Sequence, residues 1–313
     1  MMEHIVVINE QQYKDFLLNE EMHYPRFLDE LKEEVSNFVY NNIIEKLQNK
    51  QTTFVFSEAV TCPYTSEIIF DVKINLDGDV SDKRQYRCQY YNGRDELKQG
   101  KINNPKIYVN IPSKNGIILY PFLKIALSHE LTHLYDDWVC LSNGKQSINR
   151  LRQNVDTTRL LGHSLQTGEP LYKFVSILAY MELKYERQAF LSQTVQELEA
   201  IGCNQYNFRE ALKKTPMYSN LKKGYDGLLD TIYKTDDYDL KRCNDFVMYF
   251  SPKANIPKIN TGVFSPKDYK NRILTWAERI YHKSMKFYLS IVHYYVERCK
   301  ENDFKKFGPP KEL

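Results

Sequence analysis

His129-Glu130-Leu131-Thr132-His133 is the stretch of this chain whose residue types and spacing point most directly to chemistry. Two imidazoles at i and i+4 of a helix lie one turn apart on one face, so both can reach a single metal ion. At 3.6 residues per turn, Glu130 is rotated ~100° from His129 and ~60° from His133. Its carboxylate therefore stands beside such an ion without joining its ligands. From there it can take a proton from an activated water and hand it to a leaving amine. Leu127, Ser128, Leu131, Thr132 and Leu134 are all uncharged, as a dry site requires.

Two imidazoles alone hold a metal weakly, so a third donor is needed. The extended pattern HExxHxxGxxH asks for glycine at position 136 and histidine at 139, and the chain has Asp136 and Val139. A carboxylate from a later helix is the other solution. Glu182 and Glu186 stand at i and i+4 in the apolar stretch AYMELKYERQAF, where a carboxylate is costly unless paired or ligated. Asp136 and Asp137 are further candidates. His4, His23, His282 and His293 have no partner spacing and read as packing or surface residues.

The elements that must position these groups follow from periodicity. Residues 25–48 read as an amphipathic helix, with Pro25 at its start and Phe27, Leu31, Val35, Phe38, Val39 and Ile43 at three- and four-residue spacing. Four strand-like runs follow: Thr52–Val60, Glu67–Leu76, Gln85–Tyr91 and Lys106–Ile111. Pro63, Asp77-Gly78, Asn92-Gly93 and Pro112 punctuate their ends. A largely buried helix carries the HELTH stretch from Pro121 to about Cys140. Residues 141–168 read as a polar loop. Helical patterns then cover 169–200, 207–214, 218–234, 238–250 and 266–304. The fold class is α+β: a helix and a four-stranded sheet followed by an all-helical second half.

On the HELTH motif, the order of elements and the later glutamate helix, residues 25–200 resemble the glutamate-zincin metallopeptidases. The resemblance implies a zincin-like mixed sheet and a Zn²⁺ ion held by His129, His133 and a glutamate, with Glu130 as general base. The Glu-x-x-Ala-aromatic run Glu186–Phe190 looks like the ligand segment of small family members, which favours Glu186 over Glu182. It further implies that the strand Lys106–Ile111, just before the HELTH helix, lies at the sheet edge and pairs with an extended peptide. The family stabilises the oxyanion with a Tyr or His, for which Tyr180, Tyr185 and His163 are the candidates.

Composition bounds the rest. A length of 313 residues suggests about two domains, taken as 1–200, zincin-like, and 201–313, helical. With 42% hydrophobic and 27% charged residues the chain is an ordinary globular one. No run approaches the ~18 apolar residues of a membrane span. The opening MMEHIVVINE carries Glu3 and a short apolar run, unlike a secretory signal, so the expected location is cytoplasmic or within a virus particle. Tyr at 24 and Gly at only 12 suggest an AT-rich bacterial or phage genome. The six cysteines are scattered singly and read as thiols, without a disulfide framework.

Net charge is +3, yet residues 251–313 hold 13 Lys and Arg against 6 Asp and Glu. That basic segment suits an acidic partner or a solvated helix face. No phosphate-binding glycine loop, GxSxG elbow or EF-hand loop is present; Asp71–Asp82 is acidic but lacks the alternating ligands. Two functions remain. One is a zinc-dependent metallopeptidase acting on peptide or protein. The other is an assembly protein that keeps the zincin shape, for example in a virion, with viral or other protein partners and no need of Glu130.

Overall fold

A computed structural model describes residues 6–7, 26–62, 65–91, 105–142, 162, 164, 166–200, 207–250 and 265–285. The protein is α+β, with a mixed sheet and mostly helical content. The chain divides into two compact units, Met1–Ile148 with Gln188–Ala200, and Asn149–Arg187 with Ile201–Leu313. Among the described residues no helix is long and apolar enough to cross a membrane.

The first unit begins with β1 (Val6–Val7) and α1 (Arg26–Gln48). Leu31, Val35, Val39 and Ile43, four residues apart, form the buried stripe of α1. The sheet follows: β2 (Thr53–Cys62), β3 (Thr65–Asn75), β4 (Arg87–Tyr91) and β5 (Lys106–Pro112). Ile68, Phe70, Val72 and Ile74 on β3 and Ile107, Val109 and Ile111 on β5 are buried, and the residues between them turn to the other face. Then comes α2 (Tyr120–Ser142), which packs against α1 and β4.

The sheet order is β1-β2-β3-β5-β4. β2 and β3 are antiparallel, β3 and β5 parallel, and β4 and β5 antiparallel with Arg87 opposite Asn110 and Tyr91 opposite Lys106. This corrects the expectation that Lys106–Ile111 is the edge strand. The parallel connection from β3 inserts β5 beside it, and β4, earlier in the chain, is left outermost. The residues agree: β4 carries Arg87 and Gln89, the polar side chains by which edges are kept from pairing indiscriminately.

In the second unit, α3 (Pro170–Glu182) has Pro170 at its start, and the Glu169 side chain accepts the Leu171 N–H at 3.0 Å. The periodic stretch 169–200 is not one helix. Leu183 is extended (φ −64, ψ 121), and α4 (Lys184–Ala200) starts after it. No Gly or Pro marks this break; Leu183 is only 3% exposed, and tertiary burial overrides the helical propensity of its neighbours. The boundary between the two units falls inside α4, after Arg187, so one continuous helix belongs to both.

The second unit continues with α5 (Phe208–Lys213), α6 (Pro216–Thr231), α7 (Asp237–Phe250) and α8 over 266–285. The expected continuation of the last helix to 304, the basic segment beyond 285 and most of the loop 141–168 lie outside the described residues. α3 packs on α6 and α7. Gly224 of α6 lets α3 approach closely: a Cβ there would stand 2.8 Å from Ile177 Cγ2.

Two stability predictions follow from this packing. Gly224→Ala normally gains ~1 kcal/mol of helix propensity. Here the overpacking, ~1–3 kcal/mol against a stiff β-branched neighbour, reverses the sign, so a lower urea midpoint is expected. A raised midpoint would show that α3 and α6 separate at no cost. At the far end of α4, Glu197 is buried, 3.8 Å from the Lys83 ammonium. Burial raises its carboxyl above the ordinary 4.5, against the opposing pull of Lys83 and a hydrogen bond from Gln193. The folded state therefore favours the protonated acid. That stabilisation is full below the unfolded value and is lost as pH rises through the folded one. Glu197→Gln, neutral throughout, is expected to gain stability relative to wild type as pH rises from the unfolded value through the raised folded one. A pH-independent difference in urea midpoints would contradict it.

Candidate metal centre

The HELTH stretch lies in the middle of α2, and its setting is dry. Leu127, Ser128, Leu131, Thr132 and Leu134 are buried on either side. Thr132 Oγ1 donates to the Ser128 carbonyl at 2.8 Å, the back-bond that lets a threonine sit inside a helix. His129 and His133 are half-buried, one turn apart, with ring centroids 4.8 Å apart at 82° and Nε2 atoms 3.1 Å apart. The two Nε2 atoms converge rather than diverge, which an i, i+4 pair does only in selected rotamers.

Glu186, on the first turn of α4, completes the group. One ligand atom from each of His129, His133 and Glu186 lies within 4.8 Å of the others, and Glu186 is 1% exposed. The helix carrying it is tied to α2 just beyond this point. The Phe190 ring meets the His129 ring edge-on, centroids 4.9 Å apart. Ser192 Oγ donates to the Ser128 carbonyl at 3.4 Å and accepts from the Lys32 ammonium of α1. Lys32 is fully buried; burial pushes its pKa well below the usual lysine range, and the Asp136 carboxylate pulls against that.

The donor set suits a divalent ion. Ligand atoms ~2.0–2.1 Å from a tetrahedral zinc are about 3.3–3.4 Å from each other, close to the Nε2 separation found here. Two imidazoles and a carboxylate also leave one position for water or substrate. Glu130 is not a member of the group. Its Oε2 accepts the backbone N–H of Tyr90, on edge strand β4, at 2.7 Å. Next to it on β4, burial pushes the Cys88 thiol well up, and the Glu130 charge adds to this, so Cys88 stays protonated and offers no thiolate.

The alternatives part company with the site. The Glu182 carboxylate is engaged elsewhere, accepting from Trp276 Nε1 at 3.0 Å and from Arg279 at 2.8 Å. Asp136 and Asp137 stay on α2 past His133, buried at 7% and 5%, outside the ligand group. Tyr180 is on α3, where its carbonyl accepts the Leu183 N–H at 3.3 Å. The Tyr185 side chain and His163 lie outside the described residues.

Several partners escaped the sequence reading. Tyr90 contributes only a backbone amide, which no residue type can signal. Lys32 and Ser36, i and i+4 beside the stripe Leu31, Val35, Val39, are both fully buried, and that polar pair flanking an apolar stripe was a usable sign. No protein-family model, curated protein or solved structure matches the chain.

Ser192→Ala removes an acceptor from a buried ammonium and a tie between α4 and α2. A loss of about 1.5–3 kcal/mol is expected, the range for hydrogen bonds to charged groups. It would appear as a lower urea midpoint at unchanged slope. A wild-type midpoint would mean the network carries no stability.

Proposed function

We propose that the chain is a zinc-dependent metallopeptidase, with His129, His133 and Glu186 holding the ion and Glu130 acting as general base. The observation that carries this reading is the convergence of the three ligand groups within 4.8 Å. The resemblance of the HELTH and Glu186–Phe190 segments to glutamate-zincins points the same way. Zinc, when bound, supplies Lewis acidity toward a scissile carbonyl and lowers the pKa of a water to ~7.

The protein's own groups do the rest. Glu130 accepts the proton of the attacking water and returns it to the amine as the C–N bond breaks. The Tyr90 N–H holds that carboxylate at 2.7 Å, fixing which oxygen faces the reaction. Phe190 packs on His129 and keeps water from one side of the ligands. Because Tyr90 donates to Glu130 rather than to β5, its N–H points off the outer edge of β4. An extended peptide added to β4, rather than to Lys106–Ile111, therefore runs beside the general base.

The test combines metal analysis with turnover. About one zinc per chain is expected in protein purified without chelator, lost in His133→Ala and in Glu186→Ala. The zinc form is expected to cleave an unfolded protein such as casein. Glu130→Gln should keep the zinc and lose ~10²–10⁴-fold in kcat/KM, the usual contribution of a positioned base. Zinc-free wild type after reconstitution would contradict the metal. Zinc without any Glu130-dependent hydrolysis would favour the assembly protein over the enzyme.

A further inference from the structure

The third ligand stands on the weakest part of its helix. Glu186 is the third residue of α4, and the first-turn N–H groups of any helix have no acceptor within the helix itself. Good helix starts supply one from a Ser, Thr, Asp or Asn side chain at the preceding position. Here that position is Leu183, whose side chain has no acceptor. The helix thus starts without a Ser, Thr, Asp or Asn cap, and helix ends are among the first parts of a fold to open.

What does hold the chain at this point is the residue before Leu183. Both oxygens of the Glu182 carboxylate are engaged from α8: Oε2 by the Trp276 indole N–H at 3.0 Å, and Oε1 by the Arg279 guanidinium at 2.8 Å. Trp276 and Arg279 are three residues apart on one face of α8, and Ile273, Trp276, Ala277 and Ile280 are buried along it. The Glu182 side chain is 14% exposed and that of Arg279 is 38% exposed. The Glu182 end of the pair is sheltered, so the pair is screened less than one exposed at both ends.

We propose that Trp276 and Arg279 are positioning residues for the metal ligand Glu186. They fix the end of α3, the extended Leu183 and thus the entry into α4, and so raise the affinity of the site without touching the ion. The proposal rests on the metal reading above. By linkage the effect is reciprocal: metal at Glu186 steadies the Glu182 clamp by as much as the clamp favours the metal.

The experiment compares zinc affinity, by competition with a chelating dye, and the visible spectrum of the Co²⁺ form in wild type, Trp276→Phe, Arg279→Met and Arg279→Lys. Zinc is expected to bind ~10–100-fold more weakly in Trp276→Phe and Arg279→Met, the usual cost of removing an outer partner of a ligand. The Co²⁺ band should shift and weaken as the carboxylate disengages. Arg279→Lys, which keeps the charge, should recover part of the affinity. Wild-type affinity with an unchanged Co²⁺ spectrum in both variants overturns the proposal, even where the melting temperature falls, since stability alone would then be affected. Should Arg279→Met fail to fold, Trp276→Phe decides: it removes the N–H donor but leaves an aromatic ring, and the packing lost at this buried position is read separately in the melting temperature. Wild-type protein that binds no zinc overturns the metal reading itself, and this inference with it.

Discussion

A carboxylate buried to 1% exposure beside two imidazoles is an expensive object in a protein interior. Its charge has lost water, which is costly unless an ion or hydrogen bonds take the water's place. A divalent cation reverses that balance by giving all three groups one strong partner. The surrounding structure is arranged to hold this otherwise unfavourable cluster together. α2 presents both histidines, and α4 is pinned to it by Phe190 on His129 and by Ser192 on the Ser128 carbonyl. α1 reaches in from behind with Lys32, itself a buried charge that Asp136 helps to balance. Lys32, Ser192 and the Ser128 carbonyl thus form a connected polar set beside the site.

The sheet contributes from the other direction. Its outermost strand, β4, donates the Tyr90 amide to Glu130, so helix and strand meet at the group that would move the proton. An edge strand always has outward-pointing amides to satisfy, and here one of them is satisfied by the Glu130 carboxylate. In the proposed reading, the strand that would accept a peptide and the strand that steadies Glu130 are the same strand.

Much of this was legible in the residues. The four-residue apolar spacing of α1, the alternation in β3 and β5 and the largely apolar pattern of the helix carrying HELTH located those elements within a few residues. The pairing of His129 with His133 on one helix face followed from helix geometry, and Glu186, favoured through the resemblance of Glu186–Phe190 to a glutamate-zincin ligand segment, lies with them in a group that could hold an ion. What was not legible depends on distant groups. The break at Leu183 has no Gly or Pro to announce it, and the residue there is extended and buried. Glu182 and Glu186 look equivalent at i and i+4 until that break turns one toward Trp276 and Arg279 and leaves the other with the histidines. The edge strand was misplaced because nearness in sequence to α2 says nothing about which neighbour a parallel crossover selects.

The central claim is that one divalent ion is held by two imidazoles and one carboxylate. X-ray absorption at the zinc edge of the reconstituted protein tests it most directly. Nitrogen and oxygen scatterers at ~2.0–2.1 Å are expected, with the outer-shell signature of two imidazole rings and no sulfur. A sulfur shell near ~2.3 Å would place the ion on cysteine instead and contradict the account, as would a shell of oxygen alone.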